Sequence, residues 1–130
     1  ENAEETVKFL LDHGADANAI GGVYQTPLQA AARVGNTSIV DLLLSCNADA
    51  TIVGGRYGSA LHAAAFRGNE DVVQLLLDAG SDVNHRSGKY YTALQAAAFR
   101  GHEAVVKLLL RYGAEVNAEG GIYHNALRAA

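Results

Sequence analysis

Residues 54–57, Gly-Gly-Arg-Tyr, stand just ahead of Ser59-Ala60-Leu61-His62 and a run of alanines. Glycines feeding a helix start are the raw material of a phosphate cradle. In such a cradle backbone N–H groups converge on the anion at the helix N-terminus and a lysine completes the site. Here Ser59 intervenes between glycines and helix, and no lysine follows in the required position. The pattern also occurs four times: Gly21-Gly22-Val23-Tyr24, Gly54-Gly55-Arg56-Tyr57, Ser87-Gly88-Lys89-Tyr90 and Gly120-Gly121-Ile122-Tyr123. Glycines that permit a positive φ in a turn account for it. The tyrosines, with their large apolar area, read as a ladder bracing adjacent loops.

Other reactive side chains are dispersed. A metal site needs convergent ligands, and His13, His62, His85, His102 and His124 have no partners at ligand spacing. Cys46 is the single cysteine, so no internal disulfide forms and a cysteine-based zinc site is excluded. With no histidine or basic cluster nearby in sequence it reads as an inert thiol. Carboxylate pairs such as Glu70-Asp71 fit solvated helix starts, and no local nucleophile motif supports a Ser-His-Asp arrangement. The expectation is no catalysis, no cofactor and no metal.

The elements that position these residues must come from 130 residues, enough for one domain. At 49% hydrophobic and 18% charged, the chain can bury a core. Its formal net charge of −4 makes whole-surface nucleic-acid binding a poor expectation. Apolar runs fall far short of the ~20 residues that span a bilayer. The acidic, amphipathic start, ENAEETVKFLLDHG, lacks a basic leader pattern. With the lone cysteine, these features point to an intracellular, cytoplasmic setting, a nuclear one also being compatible.

Internal periodicity settles the organisation. Thr26-Pro27-Leu28 recurs as Ser59-Ala60-Leu61, Thr92-Ala93-Leu94 and Asn125-Ala126-Leu127, always 33 residues on. Gly35, Gly68 and Gly101 keep that step, as do Val7, Val40, Val73 and Val106 and the leucine pairs that follow them. Each unit reads as a helix, a turn, a second helix and a hairpin-like loop. The first helix is expected near 27–34, 60–67 and 93–100, opened by Thr26, Ser59, Thr92 and Asn125 as N-caps. Gln29 and Gln95 stand three residues after their caps, as a capping box requires. The second helix is expected near 38–45, 71–78 and 104–111, with a leading copy at 4–12 and apolar residues on one face. The predicted division is a partial repeat over 1–25, full repeats over 26–58, 59–91 and 92–124, and the start of a further repeat at 125–130.

The motifs TPLQAAARVGN, SALHAAAFRGN and TALQAAAFRGH, followed by VVQLLLDAGSDVN and VVKLLLRYGAEVN, resemble the ankyrin repeat. The resemblance covers nearly the whole chain and implies an all-α solenoid of helix-turn-helix units, non-catalytic and engaged in protein recognition. It also implies that His62 makes a structural hydrogen bond between loops. The Gly-Gly-x-Tyr loops depart from the common Asp-x-x-Gly pattern and are similar to those in arrays of fungal NACHT-type nucleotide-binding receptors. Neither end carries the polar face of a capping repeat, so a segment of a longer array is expected, or end-to-end self-stacking through the uncapped ends.

In such arrays the loop tips and first-helix ends line the concave face. Six of the ten Lys and Arg residues fall in the columns so implied, namely Arg33, Arg56, Arg67, Arg86, Lys89 and Arg100, against one acid, Glu119. With Phe66, Tyr91 and Phe99 they make the candidate contact set, a composition typical of interface hot spots. An acidic or phosphorylated protein or peptide is the expected partner. The alternatives are a structural spacer within a longer array and single-stranded nucleic acid in the basic, aromatic groove.

Overall fold

The computed structural model describes residues 3–130. In chain order the elements are α1 (Ala3–Asp12), α2 (Pro27–Val34), α3 (Thr37–Ser45), β1 (Val53–Gly54), β2 (Gly58–Ser59), α4 (Ala60–Arg67), α5 (Glu70–Asp78), α6 (Ala93–Phe99), α7 (Glu103–Arg111) and α8 (Ala126–Ala129). Helices α2, α4, α6 and α8 form one layer, the first helices of the units. Helices α1, α3, α5 and α7 form the second layer.

Capping chemistry sets where the helices begin. Thr26, Ser59, Thr92 and Asn125 are extended, and their side-chain oxygens accept from the N–H groups of Gln29, His62, Gln95 and Arg128 at 2.9–3.2 Å. The capping box closes at Thr26, whose own N–H donates to Gln29 Oε1 at 3.3 Å. The box expected at Thr92 does not close. Gln95 Nε2 donates to the carbonyls of Ala118 and Gly120 in the next loop, as Gln29 Nε2 does to those of Ile52 and Gly54, but Gln95 Oε1 is left buried without a partner. In the second layer Asn36 and Asn69 cap α3 and α5 through the N–H groups of Ile39 and Val72.

The first helices are alanine-rich because they stack closely. In α4 every residue from Ala60 to Ala65 is buried, and Leu28, Leu61 and Leu94 are at most 2% exposed. The first helices contact one another more extensively than the second helices do. Val40, Val73, Leu43, Leu76 and Leu109 complete the core from α3, α5 and α7. Burial depends on having a neighbouring unit on each side. Helix α1 buries no residue, and Leu127 in α8 is 86% exposed.

One of the expected hairpin-like loops forms a short ladder. Val53 pairs with Ser59 and Gly54 with Gly58 in a two-residue antiparallel ladder. Only this loop has glycine at the fifth loop position, where the others carry Gln25, Tyr91 and His124.

Candidate functional site

The loops that carry the candidate residues are built to lie against one another. Gly55 and Gly88 adopt φ of +68° and +73°, open to glycine at little cost. A Cβ on Gly55 would stand 2.9 Å from the carbonyl oxygen of Val23, and one on Gly88 only 2.7 Å from that of Tyr57. In the second, third and fourth motifs the second glycine therefore serves contact with the preceding loop, whereas a Cβ on Gly22 would meet nothing. The loops close on residues of the next column but two: Gln25, Tyr91 and His124 hold φ of 71°, 72° and 68° despite bearing side chains. Their carbonyls accept from the N–H groups of Gly21, Ser87 and Gly120 at 2.7–2.8 Å.

Loop tyrosines and first-helix phenylalanines form a continuous ladder. Tyr24 stacks on Tyr57 with ring centroids 6.3 Å apart. Phe66 lies between Tyr57 and Tyr90, at 5.5 and 5.2 Å, and Phe99 between Tyr90 and Tyr123, at 5.2 and 5.0 Å. The column of Phe66 and Phe99 is occupied in the preceding unit by Arg33, whose guanidinium takes the same place. Arg33 Nε donates to the Tyr57 hydroxyl at 2.8 Å, and its guanidinium carbon lies 5.6 and 5.3 Å from the rings of Tyr57 and Phe66.

The remaining cations gather at the same edge. The Arg100 guanidinium lies 4.6 Å from the centre of the Phe66 ring, and the Lys89 ammonium 5.5 Å from that of Tyr90. Arg67 is exposed and its side chain passes over Gly35, the C-cap of α2. Arg56 is exposed on its loop. Arg86 pairs with Glu115 and lies 5.8 Å from the Tyr91 ring; the Glu115 hydrogen bond holds its guanidinium further above an already high pKa. Tyr91 itself is half-buried, its ring against Gly120 and Gly121 of the next loop. Among the described residues the ion pairs are Lys8–Asp12, Arg86–Glu115 and Lys107–Glu103. Arg33, Arg56, Arg67, Lys89 and Arg100 take part in none of them.

Thus the structure brings Arg33, Phe66, Arg100, Lys89 and Phe99 onto one aromatic edge. Arg56 and Arg67 stand beside it in solvent, and Arg86 with Tyr91 is turned to the neighbouring loop. Phe66 is half-buried, whereas Phe99 keeps 37% of its surface exposed.

His62 and His102 link neighbouring units. His62 is 2% exposed. Its Nε2 lies 3.1 Å from the Tyr91 carbonyl, which can only accept, so Nε2 carries the proton and Nδ1 accepts from the Ser59 hydroxyl at 2.7 Å. Burial pushes the His62 pKa down to about 4, with the His85 ring edge-on at 5.7 Å adding to the same direction. His102 Nε2 lies 3.0 Å from the Phe66 carbonyl. A further clamp is the asparagine column: Asn84 Nδ2 donates to Gly113 O at 3.1 Å while its Oδ1 accepts from Glu115 N at 2.8 Å, and Asn18 does the same across Asn47 and Asp49. Only the recurrence of Asn18, Asn84 and Asn117 at the 33-residue step hints at this in sequence. Cys46 is a half-buried free thiol at the end of α3. Among the described residues no three His, Cys, Asp or Glu side chains converge as a metal site would need, and no helix is long and apolar enough to cross a membrane.

The family model for ankyrin repeats, in three copies, matches residues 1–87 and 56–120. A comparison with curated proteins finds no match.

Proposed function

Because the chain belongs to the ankyrin repeat family, whose members generally mediate protein–protein interaction, we propose that it binds an acidic or phosphorylated protein segment with the face formed by its loop tips and first-helix ends. One observation carries this reading. Five cations on that face, Arg33, Arg56, Arg67, Lys89 and Arg100, have no carboxylate partner among the described residues of a chain with net charge −4. Unpaired guanidinium and ammonium groups are ready donors for charge-assisted hydrogen bonds to carboxylate or phosphate. Arg56, Arg67, Lys89 and Arg100 supply those bonds. The exposed edge of Phe99 adds apolar contact beside them, whereas Phe66 and Tyr91 chiefly hold the cations in place.

Single-stranded nucleic acid fits this face less well. Bases need open aromatic faces on which to stack. Here Tyr90 is buried, and Phe66 is flanked by Tyr57, Tyr90 and two guanidinium groups.

Selection from a display library of random peptides tests the proposal. Acidic sequences should be enriched, and the double variant Arg67→Glu, Arg100→Glu should bind them at least tenfold more weakly. Enrichment without acidic residues, or affinity unchanged in the double variant, overturns it.

A further inference from the structure

The two outer faces of the array are open in complementary ways. In each inner unit a first helix packs on the second helix that follows it, α2 on α3, α4 on α5 and α6 on α7. Among the described residues no first helix precedes α1 and no second helix follows α8. Leu43, Leu76 and Leu109 are at most 2% exposed, whereas Leu10, in the same column, is 52% exposed beside an exposed Phe9. Leu127 is likewise bare in the column of Leu28, Leu61 and Leu94. Around it lies an apolar hollow of about 330 Å³, walled by Leu94, Ala98, Val106, Leu110 and Ala126. The hollow stands to α7 and α8 as α7 stands to α5 and α6.

Polar groups match across the same two faces. Asn18 and Asn84 each bridge to the next unit, Nδ2 donating to the carbonyl of Asn47 or Gly113 and Oδ1 accepting from the N–H of Asp49 or Glu115. Asn117 holds the same column and is exposed, with no such bridge among the described residues. The columns of its two missing partners are filled at the other face by Gly14 and Asp16. The Gly14 carbonyl and the Asp16 N–H take part in no hydrogen bond among the described residues. Charge matches as well. A cleft between α3 and α5 is lined by both Asp41 and Asp71. The same two columns set Lys107 of α7 against Glu5 of α1, opposite charges where the inner units hold like ones.

We propose that the hollow seats α1 of a second copy of this chain, so that α8 of one copy and α1 of the next form a composite unit. Phe9 and Leu10 of the second copy fill the hollow over Val106, Leu110 and Leu127. Asn117 clamps Gly14 and Asp16 of the second copy, and Lys107 faces its Glu5. Ala130 stands in the column of Ala31 and Ala3 in that of Asn36, so the helices of successive copies do not overlap. Tyr24 of the second copy then follows Tyr123, which carries the aromatic ladder and the loop face from copy to copy. The contact is head to tail, with no two-fold axis to stop it at a dimer. It uses none of the cations assigned above to an acidic partner and stands apart from that reading.

Analytical ultracentrifugation of the whole chain over a concentration series tests the proposal. The mean mass should rise past that of a dimer. Leu10→Glu and Leu127→Glu each spoil one face and should each stay monomeric, while an equimolar mixture of the two should give a one-to-one dimer and nothing larger. Asn117→Ala should weaken association severalfold and leave the unfolding midpoint of the dilute chain unchanged, because Asn117 bridges nothing within its own chain. A wild-type chain that remains monomeric at millimolar concentration overturns the proposal. Dimers of either variant alone also overturn it, since they mark a two-fold contact between like faces. So does a mixture that fails to pair when circular dichroism shows both variants folded.

Discussion

In the first-helix layer α2, α4, α6 and α8 contain no acidic residue, and Arg33, Arg67 and Arg100 stand at or just past helix ends without a carboxylate partner. In the second layer α1, α3, α5 and α7 all carry acids, and Lys8 and Lys107 each reach one a single turn away on the same helix, Asp12 at 3.3 Å and Glu103 at 3.0 Å. The difference follows from packing. A cation on a helix is neutralised most easily by an acid three or four residues away. For Arg67 and Arg100 those positions are Ala63, Ala64, Ala96 and Ala97, all buried at 0% exposure in the stack. Close packing removes the places where compensating acids would stand, so the layer that holds the array together is also the layer left with unpaired positive charge.

The largest expected effect lies in that layer's core. Leu61→Ala should lower stability by about 2–5 kcal/mol, since the side chain is wholly buried between neighbouring units. Leu110→Ala, at a position 40% exposed in the second layer, should cost a small fraction of that. Denaturant midpoints check both, and equal losses would erase the contrast between the layers.

His62 sharpens the comparison within the first layer, because its column holds Gln29 and Gln95 in the adjacent units. Its folded pKa, about 4, lies below the ordinary 6.5. The unfolded chain therefore takes up a proton at this site before the folded chain does. Stability is unaffected by this group above pH 6.5 and falls as pH drops towards 4, by a total on the order of 3 kcal/mol. His85 and Asp82, which act on the same ring from the adjoining loop, oppose each other in sign. His62→Gln should flatten the pH dependence of the unfolding midpoint across that window. A slope unchanged in the variant would assign the acid sensitivity to other groups.

The smallest effect belongs to the second layer. Lys107→Ala breaks an ion pair whose side chains are 69% and 79% exposed, and solvent-screened pairs of this kind contribute under about 1 kcal/mol. A loss of several kcal/mol in thermal or chemical unfolding would show that the outer pairs hold the array after all.

Much of the site was legible before any coordinates. The 33-residue step placed Arg56 and Lys89 on equivalent loop positions, and Arg67 and Arg100 on equivalent helix ends, because a repeat converts sequence columns into spatial rows. The step could not reveal that Arg33 occupies the place of a phenylalanine in the aromatic ladder. It also could not show that Tyr91 turns onto Gly120, or that Arg86 is taken up by Glu115, since each depends on a side-chain direction chosen between units. The capping box closes at Gln29 and not at Gln95 although both side-chain amides donate to carbonyls 23 and 25 residues away, so the local spacing that suggests the box does not decide it.

By itself, then, the sequence determined the repeat, the helix caps, the alanine stack and which residue types face outward from each unit. These follow from local backbone chemistry and from a period that carries every unit into the same environment. The tertiary structure alone decided the stacking of Tyr24 on Tyr57 and of Tyr90 on Tyr123, and which cations remain without a partner. Both are set by how closely one unit settles on the next, a distance fixed by packed side chains and inter-unit hydrogen bonds rather than by spacing along the chain.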